Sequence, residues 1–488
     1  MSDPARTSEV WVNSGDVERL LRGVFAGRPC ILALGPVAGQ VNTIRRLREF
    51  GATRFLVLAD SLGTGELPDR GAGVDWLVVV DGVAPDMMTG IRMYEAALLS
   101  PSDAVVEAVE RFDPDGEAIV MCAHISDLQE ICGRECFGAR EPSWAALEDK
   151  VVIDLFWDKA GIERAPSQTV SARNLEAQLE ASAGLDEGRG TVWAGDALEG
   201  FNGGAAYLRI VESEEDGARA HEFFATRCEQ VRIMPYLEGI PCSIHGMVFP
   251  EEVIAFRPVE MIVFRRPGRG QFLYAGFATF WDPSDEDRQE MRAMARRVGE
   301  ALRREVGYRG AFTVDGIITA RGFLPTELNP RSGGAFAWLT RGEPEFPLSL
   351  LDKAVRHGCP VDFEPRDLEE RVIAIADAHR TGGGWTVVDI PFEETVTHQL
   401  LRTEGGFELT AEGCPEEDTH GVLLLGPSAM GGFVRYLPHR HATAMGPSLA
   451  PEVAEAFAFV DRSFGTEFGE LVPATPQERA TGSAAGTG

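Results

Sequence analysis

The sequence predicts a mixed α/β and α+β protein of about three domains. Apolar strands alternate with helical patterns over the first 143 residues, which is typical of a parallel α/β layer. A long amphipathic helix and then a β-hairpin pattern, Ala311 to Arg331, follow in the middle of the chain. With 488 residues, the chain is long enough to give each of these parts its own core.

The composition excludes several classes of function. A formal net charge of −30 argues against a nucleic-acid-binding protein, which would need a basic surface. No uninterrupted apolar stretch of about 18 residues is present, so no membrane span is expected. The N-terminus, MSDPARTSEVW, lacks the basic and apolar regions of a secretory signal, and the eight cysteines are scattered. We therefore expect a cytoplasmic protein with reduced thiols.

The first part of the chain predicts a short extension followed by an α/β domain. The extension carries one amphipathic helix candidate, Val17 to Phe25. Four apolar strands are predicted at Cys30–Leu34, Arg54–Ala59, Trp76–Val80 and Ala118–Cys122. The loop from Gly35 to Gly39 follows the first strand but lacks the GxGxxG spacing. It therefore favours a strand-to-helix turn over a dinucleotide site.

A glycine-rich segment, TVWAGDALEGFNGGAAYLRIVES, predicts a strand, a flexible loop and a second strand. Gly200, Gly203 and Gly204 allow positive φ and close backbone approach, and successive amide groups can hold an anion. A mobile hairpin loop without a ligand is the alternative. Upstream, Lys150 precedes a helical pattern that Gly161 ends.

Three further segments precede the hairpin. Gln230 to Val248 predicts a strand pair closed at Leu237-Glu238-Gly239. FRRPGRG, from Phe264 to Gly270, is a concentrated basic patch whose arginines suit a phosphate or a carboxylate, although a solvated loop fits equally well. Asp282 to Val306 predicts a helix with Asp282 as N-cap, Pro283 as first residue and an apolar stripe that packs in the core.

The hairpin contains the candidate residues for binding a cation and an anion. If it pairs about Arg321, Asp315 lies directly across from Glu327, and the two carboxylates repel unless a cation lies between them. Asn329 and Arg331 share the face of Glu327 because side chains alternate along a strand. Asp, Glu and Asn oxygens suit magnesium that also holds phosphates, and an arginine fork suits a neighbouring anion. A solvated acidic face is the alternative for the two carboxylates alone.

Three motifs resemble the end of the ATP-grasp fold: GYRGA at Gly307 to Ala311, the strand carrying Asp315, and ELNPR at Glu327 to Arg331. That superfamily includes biotin carboxylase, D-alanine–D-alanine ligase and many carboxylate–amine ligases. The resemblance covers roughly residues 144 to 340. It implies that Asp315, Glu327 and Asn329 hold magnesium on ATP, with manganese as an alternative metal. It also implies that Arg331 stabilises a reacting acyl phosphate.

The resemblance also implies contacts with the nucleotide. Lys150 and the glycine loop would contact phosphates. The segment Met234 to Leu237 would form an interdomain hinge that follows the adenine, with Tyr236 and Leu237 flanking the ring. The second ATP-binding lysine, expected near Ala194 and Gly195, is absent, and Arg209 is the candidate replacement. The predicted nucleotide-binding residues are Lys150, Gly200, Gly203, Gly204, Arg209, Met234, Tyr236, Leu237, Glu238, Arg265 and Arg266.

The C-terminal part contains no motif that indicates a role. Strands are predicted there at Arg371–Ala378, Thr386–Ile390, Gly421–Gly426 and Phe433–Leu437, and a helix at Pro451–Phe464. The predicted domains are an N-terminal extension (1–25), a pre-ATP-grasp α/β domain (26–143), a two-lobed ATP-grasp domain (144–358), a small C-terminal α+β domain (359–470) and a disordered tail (471–488).

The resemblance implies ADP-forming ligation of a small-molecule carboxylate to an amine through an acyl phosphate. The front domain, the glycine loop and the hinge suggest pheganomycin-type peptide ligases of natural-product pathways. No nucleic-acid or membrane partner is expected, and a homodimer is compatible with the sequence. Two alternatives stay open: an ATP-grasp phosphotransferase acting on a small acceptor, and a non-catalytic ATP-binding module, which the missing lysine suggests.

Overall fold

A computed structural model describes residues 14–198, 200, 203–410, 414–428 and 431–479. In these ranges the chain forms two four-stranded sheets, one eleven-stranded sheet and a two-stranded hairpin, with helices packed on the sheets. Every helix in this part of the chain is too short or too polar to span a bilayer. All eight cysteines are free thiols.

The front sheet is fully parallel, in the order β3-β2-β1-β4. Its elements are α1 (Ser14–Phe25), β1 (Cys30–Ala33), α2 (Val41–Glu49), β2 (Phe55–Ala59), β3 (Val74–Val78), α3 (Met87–Leu99), α4 (Asp103–Phe112) and β4 (Ile119–Cys122). Strand β1 is buried on both faces: Leu32 packs towards α1 and α2, whereas Ile31 packs towards α3 and α4. This explains why its sequence is a continuous apolar run. All four predicted strands are present.

A connecting segment leads to a small antiparallel sheet in the order β7-β10-β8-β9. The elements are β5 (Glu130–Ile131), β6 (Arg134–Glu135), α5 (Pro142–Ala145), α6 (Ile153–Ala160), β7 (Gln168–Ser171), α7 (Leu175–Leu185), β8 (Thr191–Gly195), β9 (Leu208–Val211), α8 (Glu214–Ala225) and β10 (Gln230–Pro235). Val231 and Ile233 of β10 pack in one core with residues of α7 and α8. Strand alternation therefore turns Arg232 and Met234 to the opposite face.

The large sheet runs in the order β15-β14-β11-β12-β13-β16-β20-β19-β17-β18, with β21 paired to β12. Its strands are β11 (Ile240–Val248), β12 (Val253–Arg266), β13 (Gln271–Ala278), β14 (Gly310–Thr319), β15 (Gly322–Asn329), β16 (Gly382–Val388), β17 (Val396–Thr403), β18 (Gly406–Leu409), β19 (Gly421–Ser428), β20 (Gly431–Pro438) and β21 (Val472–Pro473). The remaining helices are α9 (Asp285–Val306), α10 (Leu348–His357), α11 (Pro365–Ala378) and α12 (Ala450–Phe464).

Helix α9 supports the hairpin, as predicted. Its apolar stripe, including Met291 and Val298, packs in one core with the inward-facing residues of β11 and β14. The predicted N-cap was wrong. Ser284 caps the helix by accepting a hydrogen bond from the Asp287 amide, whereas Asp282 accepts hydrogen bonds from three arginines. The serine is the better cap here because the aspartate has stronger charged partners.

The C-terminal strands continue the same sheet. Strand β16 pairs with β13, so the sheet crosses the predicted boundary at Gly358 without interruption. The strand predicted at Arg371–Ala378 is wrong, because this segment is the end of α11. Leu368, Val372 and Ile375 are buried at helical spacing, and that period outweighs the β-branched composition. Strands β17 and β18 were not predicted.

The first part of the predicted disordered tail is ordered, and the prediction is corrected for residues 471–479. Val472 and Pro473 pair with β12, and Arg479 forms ion pairs with Glu286, Asp287 and Glu290 of α9. A short strand is stable here because it extends an existing sheet edge. Residues 480–488 lie outside the described ranges.

Candidate active site

The hairpin of β14 and β15 places Asp315 opposite Glu327, as predicted, but by a different route. Thr319 pairs with Gly322, so the turn has two residues rather than three. Gly322 has a φ of +96°, which only glycine adopts without strain. A β-bulge then inserts Thr326 and restores the expected pairing.

Polar groups surround the Asp315 carboxylate. Ser243 donates a hydrogen bond to its Oδ1 (2.5 Å), and the Asn329 amide donates one to its Oδ2 (2.9 Å). Lys150 Nζ lies 3.1 Å from Glu327 Oε1. Burial, together with the facing charge of Glu327, raises the pKa of Asp315 to about 7. The fold thus holds two carboxyl groups close together at a partly buried position.

The donor set fits a hard divalent cation. In the described part of the chain, no cluster of three or more His, Cys, Asp and Glu side chains could hold a metal ion. Asp315, Glu327 and Asn329 instead offer two carboxylates and one amide. Magnesium in nucleotide sites commonly takes only one or two carboxylates, and phosphates and waters complete its shell. The raised pKa of Asp315 indicates that its ionised form is disfavoured in this position, and a bound cation would stabilise that form.

Arg331 is held rigidly beside this hairpin. Its Nη2 donates to Asn329 Oδ1 (2.9 Å) and its Nε donates to Glu148 Oε1 (2.6 Å). Glu148 also accepts a hydrogen bond from Arg140 (2.5 Å). Burial would raise the pKa of Glu148, but the two arginines outweigh it and lower that pKa. The carboxylate therefore stays ionised and fixes the orientation of the Arg331 guanidinium.

A cavity of ≈ 340 Å³ lies between the small sheet and the large sheet. Its volume suits a small organic ligand. Of the predicted residues, eleven line it: Lys150, Gly203, Gly204, Met234, Tyr236, Leu237, Arg265, Asp315, Glu327, Asn329 and Arg331. The small sheet, the large sheet and the loops beside them thus bring the predicted phosphate, hinge and metal residues to one place.

Four predicted nucleotide contacts do not line the cavity. Arg209 lies on the ring of Phe223, 3.6 Å from its centroid, and donates to the backbone carbonyls of Ala206 and Leu208. Glu238 forms an ion pair with Arg189 at 3.0 Å, and Arg266 donates to a backbone carbonyl. Gly200 is exposed. Arg265 and Arg266 separate because adjacent side chains of a strand point to opposite faces.

The glycine loop reaches the front domain as well as the cavity. The Gly203 amide donates to the sulfur of Met88 at 3.3 Å, on helix α3. Gly204 and Ala205 both have positive φ values, +62° and +65°, and both line the cavity. Ala205 is strained there, since a Cβ disfavours this region. Phe201 and Asn202 of the predicted loop lie outside the described residues.

An aromatic wall closes the hinge side of the cavity. The rings of Tyr236 and Phe272 are nearly parallel, with centroids 6.4 Å apart and an interplanar angle of 8°. The Arg265 guanidinium lies 5.3 Å from the Tyr236 centroid and also pairs with Glu212 at 3.1 Å. Such a wall suits a flat heterocycle.

Sequence reasoning missed Arg232. It lies directly opposite Ala194 in the pairing of β10 with β8, so both side chains are on the face that lines the cavity. Its Nε donates to Asp154 Oδ2 (3.0 Å) and its Nη1 donates to the Thr326 carbonyl (3.3 Å). The buried guanidinium thus lies across from the position where the sequence lacks a lysine. Only the register of two non-consecutive strands could have revealed it.

The tail was also missed as a wall of the cavity. Val472 and Ala474 line it, although their composition suggested no structure. Their position follows from the pairing of β21 with β12.

Comparison with known proteins identifies structural neighbours only. No family model and no curated protein sequence matches the chain. Among solved structures, the biotin carboxylase domain of Hydrogenobacter thermophilus 2-oxoglutarate carboxylase, in complex with MgADP, ADP and bicarbonate, matches with a TM-score of 0.53. The identity is 14%, over 92% of this chain and 91% of that chain.

Two further neighbours cover similar shares of this chain. Rhizobium etli pyruvate carboxylase matches with a TM-score of 0.54 and 15% identity, over 89% of this chain and 37% of that much longer chain. The N5-carboxyaminoimidazole ribonucleotide synthetase from Thermotoga maritima gives a TM-score of 0.46 and 14% identity, over 92% and 99% of the two chains.

The biotin carboxylase likeness covers 92% of the chain. The predicted fold class is therefore confirmed: an α/β front domain is followed by a two-lobed ATP-grasp fold and a small C-terminal part. The C-terminal strands, predicted to form a small separate domain, extend the large sheet instead. At such low identity this likeness is one of fold alone.

Proposed function

We propose that this protein is an ATP-dependent, ADP-forming ligase that joins a carboxylate to an amine through an acyl phosphate. The observation that carries this proposal is the hairpin, which brings Asp315, Glu327, Asn329 and a rigid Arg331 into one cavity with Lys150. MgADP and bicarbonate, found together in the structurally similar biotin carboxylase domain, support a nucleotide and a carboxylate-like substrate in such a cavity.

The cavity offers separate surfaces to the parts of ATP. The hinge, Met234 to Leu237, and the aromatic wall of Tyr236 and Phe272 would hold the adenine. Lys150 and the amides of Gly203 and Gly204 would hold phosphates, because ammonium and backbone N–H groups both favour anions. We propose Arg232, rather than Arg209, as the second cation on the phosphates.

Asp315, Glu327 and Asn329 would hold a magnesium or manganese ion. When bound, this ion neutralises charge on the phosphates and keeps them in line for transfer. Its arrival also removes the repulsion between the two carboxylates, which the raised pKa of Asp315 reveals. These three side chains would therefore bind the metal ion and the nucleotide phosphates together.

The chemistry needs positioning and charge stabilisation rather than a protein nucleophile. A substrate carboxylate oxygen would attack the γ-phosphorus, and the bond to ADP would break. The amine would then attack the acyl carbon, lose a proton, and expel inorganic phosphate to leave an amide. Arg331, fixed by Glu148 and Asn329, would stabilise the negative charge that develops on the acyl oxygens.

Exclusion of water favours this chemistry, because water hydrolyses acyl phosphates. The glycine loop lies over the cavity from the small sheet, and the tail residues Val472 and Ala474 close another side. These segments are well placed to protect a reactive intermediate.

The substrate class is a further part of the proposal. The WAGD…GFNGGA loop and the PYLEGIPCS hinge support an amino acid or peptide as substrate, as in pheganomycin-type peptide ligases of natural-product pathways. The domain limits given above and a cytoplasmic location belong to the same proposal.

A product screen tests the proposed function. Purified protein with ATP and Mg²⁺ is mixed with pairs of amino acids, and ADP, phosphate and new masses are measured. We expect ADP and an amide product only when an acid and an amine are both present, and loss of both products with EDTA. ADP release with a single hydroxyl acceptor and a phosphorylated product would replace the ligase with a phosphotransferase. Binding of Mg·ATP without turnover in any mixture would favour a non-catalytic module.

A further inference from the structure

Two arginines from distant parts of the chain meet at one tryptophan. The Arg341 guanidinium lies 4.0 Å from the ring centroid of Trp338, and that of Arg435 lies 5.6 Å from the same centroid. Arg341 follows the short 3-10 helix Phe336–Thr340, whereas Arg435 is on β20 of the C-terminal part. The fold therefore brings two positive charges together beside an aromatic ring.

Neither arginine has an acidic partner in the ranges that the structure describes. Neither guanidinium forms an ion pair or a hydrogen bond there, and the Nε of Arg435 is buried without a partner. Partial burial lowers the pKa of Arg341, although much of its side chain is exposed, and burial followed by the charge of Arg341 lowers the pKa of Arg435. In a chain of net charge −30, acids to pair with them are abundant. The unpaired Nε of Arg435 has an energetic cost that a hydrogen-bonding ligand would remove.

Aromatic rings connect this pair of arginines to the cavity. Trp385 lies opposite Arg435 in the pairing of β16 with β20, and its ring is stacked with Trp338 at 5.9 Å. Phe277 contacts both tryptophans edge to face, at 4.7 and 4.9 Å. Phe277 itself lines the cavity. The arginine–tryptophan cluster thus adjoins the candidate active site across a single aromatic side chain.

Strand alternation puts the cluster and the candidate active site on one face of the sheet. Phe277 pairs with Met261 on one side, and both line the cavity. On the other side it pairs with Gly383, two residues before Trp385 and hence on the same face. The C-terminal strands therefore extend the floor of the cavity instead of forming a separate body.

We propose that Arg341, Arg435, Trp338 and Trp385 form a binding site for a carboxylate at the far end of one substrate, next to an aromatic or apolar group. An arginine fork matches a carboxylate, and the two indoles offer a flat apolar surface beside it. That this ligand is a substrate rests on the proposed function. The site gives the C-terminal strands a role in recognising an organic acid or the C-terminus of a peptide.

Direct binding without nucleotide tests the site itself. Phenylacetate and the neutral phenylacetamide are titrated into the full-length protein by calorimetry. We expect phenylacetate to bind more tightly, and Arg435→Gln or Arg341→Gln to weaken its binding by about tenfold or more, since a hydrogen bond to a charged group is lost. Phenylacetamide binding is expected to stay unchanged in both variants. Tighter binding of phenyl phosphate than of phenylacetate would overturn the carboxylate assignment.

Matched variants separate a ligand role from a folding role. Arg173→Gln changes an exposed arginine of the small lobe and is expected to bind phenylacetate like the unaltered protein. Circular dichroism and melting temperature report folding of each variant. Because Arg341 is exposed, Arg341→Gln is expected to fold even if Arg435→Gln does not. Unchanged phenylacetate binding in folded Arg341→Gln would overturn the proposal, as would absence of phenylacetate binding to the unaltered protein.

Kinetics with an active substrate pair distinguish this site from the proposed function. We expect both glutamine variants to raise KM for the carboxylate-bearing substrate by about tenfold while KM for ATP stays the same. Arginine-dependent phenylacetate binding in a protein that never turns over ATP would retain the site and refute the ligase. Turnover with an unchanged KM for every substrate would retain the ligase and refute the site.

Discussion

Two pairs of like charges lie on the same face of the large sheet, and they have opposite signs. Asp315 and Glu327 form the acidic pair, and Arg341 and Arg435 form the basic pair. The acidic pair is surrounded by donors, including Lys150 at 3.1 Å from Glu327. The basic pair lies beside aromatic rings and has no acidic partner among the residues that the structure describes. Repulsion within each pair destabilises the folded state, and a ligand of opposite charge would relieve that repulsion. The two ends of the face thus suit a cation and an anion.

Paired charges elsewhere in the molecule behave differently. Arg257, which is 2% exposed, donates to both Asp377 and Asp282 and so joins β12 to α11. Asp352 and Arg356 are buried against each other, and Asp352 also accepts a hydrogen bond from the Ala311 amide (2.7 Å). Such charge-paired networks hold elements in place. The ion-paired networks stabilise the fold, whereas the two like-charged pairs are those that we propose to bind ligands.

The sharpest test of the acidic pair is Glu327→Gln. Because this change keeps the shape and removes one charge of the cation site, we expect turnover to fall by about 10³-fold or more and Mg·ATP binding to weaken. Ligand-free stability is expected to stay equal or to rise by up to about 1 kcal/mol, because repulsion with Asp315 is relieved. Steady-state ADP release and thermal melting measure the two effects.

Glu187→Gln is the matched control, since Glu187 is an exposed glutamate far along the chain from the hairpin. It should leave both turnover and melting temperature unchanged. Full activity of Glu327→Gln would remove Glu327 from the site and break the proposed contrast.

A change in an ion-paired network should lower stability and leave turnover unchanged, which is the opposite of the result expected for Glu327→Gln. Asp352→Asn leaves buried Arg356 without its counter-charge, so we expect a loss of about 3 kcal/mol in the free energy of unfolding. Turnover per folded molecule is expected to remain close to that of the unaltered protein. Urea unfolding and active-site titration measure these quantities. A variant that keeps its stability but loses activity would place Asp352 among the functional charges.

Arg232 lies between the two classes, since it is paired with Asp154 and also lines the cavity. If it binds phosphates, Arg232→Met should raise KM for ATP by about tenfold to a hundredfold, and Arg232→Lys should restore part of the loss. Arg209→Met is the matched comparison and is expected to leave KM for ATP unchanged. The opposite result for the two methionine variants would return the role to Arg209.

The smallest effect concerns Lys353, whose ammonium donates to the Cys122 carbonyl (2.7 Å) and links α10 to the front sheet. Burial, followed by the charge of Arg356, lowers its pKa to about 8. Between about pH 8 and 10.5 the unfolded chain therefore holds more protons, so the stability contributed by this residue rises with pH and is lowest below pH 8.

Melting curves across pH 7 to 10 test whether the stability contributed by Lys353 rises with pH. The stability of the unaltered protein relative to Lys353→Met is expected to rise with pH by about 1 kcal/mol, a value reduced because the side chain is partly exposed. Lys159→Met, at an exposed lysine, should run parallel to the unaltered protein. Parallel curves for Lys353→Met as well would show that Lys353 is already solvated.

Local patterns predicted much of the fold and the centre of the site. The four front strands, helix α9 and the Asp315–Glu327 pair follow from apolar periodicity and turn residues close in sequence. The N-cap at Asp282 failed because distant arginines compete for that carboxylate. The strand at Arg371–Ala378 failed because β-branched composition outweighed helical spacing in the prediction.

The sequence by itself determined the hairpin chemistry, since Asp315, Glu327, Asn329 and Arg331 lie within 17 consecutive residues and strand alternation orders them. Only the tertiary structure decided which cations serve the cavity. Arg232 lies opposite Ala194, and Arg435 lies opposite Trp385, through strand registers between segments that are separated in the chain. Such registers depend on packing of the whole sheet, which no local spacing encodes.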